Sequence, residues 1–128
     1  MAKMPNPTEA QLFGAIESTL KKMASTGVTT ASDMSVGGNF GVDKEVAIYK
    51  SLFAKNASPI RVRGYLFSET LPAGYKGIKP NEGDDQLRFI GIKYITDGST
   101  QGLTAALTQP YSYPANSKWS GALNFKDD

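Results

Sequence analysis

The residues best suited to chemistry in this chain are Arg61, Arg63, Tyr65 and Lys93. Arg61, Arg63, Tyr65 and Phe67 alternate with Val62, Gly64 and Leu66, so on a β-strand they share one face. Guanidinium groups neutralise phosphates and aromatic rings stack on bases, which makes such a face suitable for single-stranded nucleic acid. The charge distribution agrees. Across residues 41–67 five cations (Lys44, Lys50, Lys55, Arg61 and Arg63) stand against Asp43 and Glu45, a local +3, while the whole chain carries only +2. A solvated sheet face, with its rings covering neighbouring strands, is the plainer explanation and is preferred.

Acidic residues supply two further candidates. Glu82, Asp84 and Asp85, beside Asn81, bring together hard oxygen donors of the kind that hold Ca²⁺. They lack the spacing of a calcium-binding loop, so a solvated turn is preferred. Glu17, Asp33, Glu45, Glu69 and Asp97 are available for paired-carboxylate chemistry, which depends on their separation in space. The run Gly37-Gly38-Asn39-Phe40-Gly41 has the composition of a phosphate-cradling loop. It lacks the lysine ending of a P-loop, and a flexible turn is preferred. The chain has no His and no Cys. That removes disulfides, thiol nucleophiles, Cys/His zinc sites and every Ser-His or Cys-His pair. No cofactor is expected.

The elements that would position these groups follow from periodicity. Leu87 to Ile95 is the run richest in β-branched and aromatic residues, lies between turn-forming clusters, and reads as a central strand with apolar residues on both faces. Thr8 and Gln11 have the form of a capping box ahead of Leu12, Phe13, Ile16, Leu20 and Met23 at helical spacing, so a helix is expected over 9–25, stopped by Gly27. A second helix is expected over 44–55 with Asp43 as its cap, although the same residues nearly alternate and leave a strand open. A strand follows at 60–67. Residues 26–41 read as a loop with a short strand near Val28, and 68–86 as a long irregular connector. Thr104 to Thr108 reads as a strand or one helical turn, and the proline-spaced segment after it as an extended tail.

These elements give an α+β fold, with two N-terminal helices packed on a mostly antiparallel β-sheet. At 128 residues the chain is expected to be a single domain, 1–128, burying ~65–70% of its unfolded surface. No apolar run approaches the ~20 residues of a membrane-spanning helix, and the N-terminus lacks the pattern of a signal peptide. A cytoplasmic or virion location is therefore expected, with no membrane partner.

The helices cover one face of the central strand and leave the other for a second sheet, the tail or a neighbour. Tyr111, Tyr113 and Trp119 on the tail are suited equally to anchoring in a neighbour's groove and to packing on this chain's own sheet. With no catalytic or metal motif, the expected function is that of a non-enzymatic structural protein. It would act by assembly, as a virion coat, decoration or tail-type component, partnered by itself or by a larger assembly. The alternative is a nucleic-acid-binding module using Arg61, Arg63, Tyr65 and Lys93.

Overall fold

Helix α1 starts where the capping box closes. Gln11 N–H donates to Thr8 Oγ1 at 3.2 Å, and Thr8 N–H donates to the Gln11 side chain at 2.8 Å. These are donors that a helix start otherwise leaves unpaired. The computed structural model describes residues 6–125, and in it α1 spans Glu9–Ser25. Gly27, at φ +88°, takes the chain out of the helix. Leu20 is the fully buried residue of α1, while Phe13 and Ile16 lie half-buried against the core.

Strand β1 (Thr30–Val36), helix α2 (Val42–Ala54) and strand β2 (Arg61–Phe67) form one crossover unit, because β1 and β2 run parallel. Parallel neighbours cannot be joined by a tight hairpin, and a helix of 13 residues supplies the return path. Strand β4 (Leu87–Lys93) lies parallel to β2 on its other side, and the two-residue β3 (Glu82–Gly83) pairs antiparallel with β4. The order is β1-β2-β4-β3. The fold is α+β, but its sheet is mostly parallel where an antiparallel one is expected from sequence. The physical reason is that both connections are long enough to carry the chain back across the sheet: helix α2 between β1 and β2, and residues 68–86 between β2 and β4. Strand β1 itself escapes the sequence pattern because Thr-Ala-Ser-Asp-Met-Ser-Val is polar and only Val36 is fully buried.

One face of the sheet builds the core. Val36, Val62, Leu66, Leu87 and Phe89 meet Val42, Val46, Tyr49 and Leu52 of α2 and Leu20 of α1. Gly64 makes room for this packing, since a Cβ there would stand 2.9 Å from the Phe89 ring. On the opposite face Arg61 is exposed and Arg63, Tyr65 and Phe67 are half-buried.

The chain divides after Lys93 into two compact units. The second, from Tyr94 on, has no helix or extended strand among its described residues. Backbone pairs hold it: Asp97 bridges Leu123, Asn124 N–H donates to Thr96 at 2.8 Å, and Leu107 N–H donates to Ser120 at 2.7 Å. Thr104 to Thr108, expected as a strand or helical turn, is irregular. Among the described residues no helix is long and apolar enough to cross a membrane.

Candidate functional site

A parallel sheet points all its strands the same way, so their carboxyl ends gather along one edge. Ligands of open α/β sheets bind outside that edge. Here β1 ends at Val36, level with Leu66, and Phe67 is paired with Lys93. The edge therefore collects the 37–41 loop, Phe67 and Lys93. A Cβ on Gly38 would lie 3.5 Å from the Phe67 ring, so the loop runs directly beside the end of β2. Lys93, half-buried as a residue, closes β4, and its amine can donate several hydrogen bonds or attract an anion.

Lys93 reaches this face through a bulge. Gly64 pairs with Phe89, but Tyr65 pairs with Gly91, leaving Ile90 as an extra residue in β4. By simple alternation Lys93 would share the side of Leu87 and Phe89. After the extra residue it lines up with Phe67, on the side of Arg61, Arg63 and Tyr65. The structure thus brings together Arg61, Arg63, Tyr65 and Lys93 on one sheet face and adds Arg88, paired with Arg63. The group is spread along the strands. Arg63 is held near their amino ends, donating to the carbonyls of Val62 and Asp85, both at 3.1 Å.

The 37–41 loop is already occupied. Glu45, buried in the first turns of α2, turns its carboxylate back into it. Glu45 Oε2 accepts from Gly37 N–H at 2.6 Å, and Oε1 accepts from Asn39 N–H at 3.1 Å and Phe40 N–H at 2.8 Å. The backbone donors a phosphate would use are taken by this side chain. The helix begins at Gly41, with no capping side chain, rather than at Asp43. The sequence signal for this arrangement is an acidic residue shortly after a glycine-rich loop at a helix start, where oriented N–H groups favour a negative charge.

Most other carboxylates also have internal partners. Asp33 accepts from Tyr49 Oη at 2.7 Å and from Ser35 N–H at 2.9 Å. Burial, and then Asp33, push the Tyr49 hydroxyl well above the usual tyrosine range. Glu17 pairs with Lys21 at 2.6 Å, and Asp97 accepts from Ala106 N–H at 2.9 Å. Glu69 lies exposed just past β2. In the acidic cluster Glu82 accepts from Lys79 N–H at 3.1 Å and pairs with Lys50 at 3.0 Å, which holds it below the usual carboxylate range. Asp84 is lowered too, by the Leu87 and Gln86 N–H groups at 2.9 and 2.8 Å. Glu82 and Asp84 therefore shape the start of β4. A groove of about 400 Å³ beside them, lined by Lys50, Phe53, Gln86 and Leu87, lies at the amino end of the strand, opposite the candidate edge.

The tail aromatics lie in the second unit. Tyr111 Oη donates to Ala105 O at 2.7 Å and Trp119 Nε1 donates to Leu103 O at 2.6 Å. Tyr113 is 74% exposed and Trp119 52%.

Comparison with known proteins supplies the family. Residues 1–128 match the amidohydrolase family. Among solved structures the chain is similar to an uncharacterized metal-dependent hydrolase from Pyrococcus furiosus, with 28% identity and a TM-score of 0.77 over 93% of this chain and 24% of that one. It is also similar to an uncharacterized metal-dependent hydrolase from Pyrococcus horikoshii OT3, with 26% identity and a TM-score of 0.75 over 94% of this chain and 23% of that one. The chain therefore spans about a quarter of the length of these structures. Among the curated proteins none matches.

These matches overturn the expectation of a non-enzymatic structural component of a virion, since the family and the similar structures point to an enzyme. The lack of His and Cys removes the usual catalytic sets from this chain but does not exclude membership of an enzyme family. A metal centre does not fit the residues present. The sequence has neither His nor Cys, and the described residues hold no group of three or more acidic side chains close enough for a metal.

Proposed function

We propose, from the premise that this chain belongs to the amidohydrolase family, that it serves as one part of a metal-dependent hydrolase and contributes the carboxyl edge of a parallel sheet to the active site. One observation carries this assignment. The register and the Ile90 bulge bring the 37–41 loop, Phe67 and Lys93 to the edge at which parallel sheets bind ligands. Their task there is to receive and orient the substrate: the loop and the Phe67 ring form a wall, and the Lys93 amine offers a hydrogen-bond donor to a carbonyl or carboxylate. Water attack on an acyl carbon needs a polarised carbonyl and an activated water, and a metal would supply both when bound, with the released proton passing to a separate base. This chain lacks the donor set for that metal, so no step is assigned to one here.

The division of labour is tested by calorimetric titration of the chain with Zn²⁺. No saturable site in the micromolar range is expected, since imidazole and thiolate are absent and the carboxylates are dispersed. A tight one-to-one site would show that the chain carries a metal centre of its own.

A further inference from the structure

We infer that Glu45 is a positioning residue whose carboxylate acts as a built-in anion, filling the nest of backbone N–H groups in the 37–41 loop and fixing that loop at the carboxyl edge of the sheet. Successive N–H groups converging on one point form a concave site for an anion. Gly37, Asn39 and Phe40 converge in this way, and the point is occupied by the two Glu45 oxygens at 2.6–3.1 Å. Glu45 itself is 8% exposed, among apolar neighbours of the core. A buried carboxylate is tolerated where hydrogen bonds replace its water, and three charge-assisted bonds do so here.

The backbone is built around this closure. Gly37 has φ +92°, and a Cβ there would stand 2.7 Å from the Val42 backbone, so the loop can fold against the start of α2 only with glycine. Gly41, also at φ +92°, begins the helix with no capping side chain of its own. Without the carboxylate, three N–H groups facing one another would repel, and the segment beside Phe67 would lose its fixed path. The consequence for catalysis rests on the function proposed above. The anchoring itself does not, and its test needs no turnover.

The test is amide hydrogen exchange in the intact chain, comparing wild type with Glu45→Ala, in formate and in chloride at matched ionic strength. Bonds to a charged acceptor lead us to expect exchange about tenfold faster, or more, at Gly37, Asn39 and Phe40 in the variant. Arg61 and Val62, whose N–H groups donate to Thr29 and Gln86, should be unchanged. Formate, a carboxylate without a chain, should restore protection at the three loop amides while chloride does not. Unchanged loop exchange, or faster exchange that formate fails to reverse, would overturn the inference. If Glu45→Ala does not fold, Glu45→Gln gives the same reading. Its amide keeps one acceptor oxygen, so at least one of the three loop amides should lose protection, and no loss at any of them would overturn the inference.

Discussion

Tyr49 is buried, and its hydroxyl is tied to Asp33 across the gap between α2 and β1. Both burial and the Asp33 charge disfavour the tyrosinate, so the folded chain keeps this proton to higher pH than the unfolded chain, whose tyrosine ionises near 10.0. A group with a raised folded-state value gives stability that is complete below the unfolded value and is lost as pH rises above it. Tyr49→Phe should therefore cost about 1–2 kcal/mol near neutrality through the lost hydrogen bond. It should also remove part of the decline in stability above about pH 10. Denaturant melts of both proteins across that range measure the difference. Equal slopes would mean that Tyr49 ionises as freely in the fold as outside it. The Tyr49–Asp33 pair was not legible in the sequence, because 16 residues separate its members and β1 reads as a loop.

At the scale of elements, local signals were legible and pairing was not. The capping box and the apolar spacing give α1 its observed limits, Glu9–Ser25, and alternation gives the correct faces of β2. Burial along α1 is more graded than its periodicity suggests. Leu20 is 4% exposed, while Leu12, Phe13 and Ile16 are only half-buried. Leu20→Ala should accordingly cost about 2–5 kcal/mol, as for a filled core site. Ile16→Ala should cost clearly less, since its side chain already touches solvent. Urea melts rank the two, and a larger loss at Ile16 would mean that α1 is rotated relative to this packing. Strand direction escaped the sequence because it depends on the β1–α2–β2 crossover and on the return made by residues 68–86 between β2 and β4, and β1 offers little apolar pattern. Side-chain chemistry groups Lys93 with Arg61, Arg63 and Tyr65 in the sequence, but alternation alone would not place it on their face. Alternation through Leu87–Lys93 assumes an unbroken strand, and the extra residue at Ile90 reverses the faces beyond it. Nothing in Phe-Ile-Gly-Ile announces a bulge, although a glycine within a strand is a weak hint of one.

At the scale of the whole molecule, the decisive fact is that the chain matches the amidohydrolase family throughout, yet corresponds to about a quarter of the hydrolases it resembles. A sequence without His or Cys lacks the usual catalytic sets and, taken alone, points away from an enzyme. Under the function proposed above, the chain's contribution is instead an edge where strands end together. The central claim is that this edge serves metal-dependent hydrolysis. Its most direct test is a hybrid in which this chain replaces the matching quarter of the Pyrococcus furiosus protein, assayed beside that parent on a panel of p-nitrophenyl esters and p-nitroanilides, with the substrate chosen as one the parent is found to cleave. The account expects chelator-sensitive turnover by the hybrid and a loss of about 100-fold or more in kcat/KM on Lys93→Met, a loss of the size seen when a positioned polar group is removed from the reacting centre. A folded hybrid without chelator-sensitive turnover, or one whose turnover is indifferent to Lys93, would contradict it.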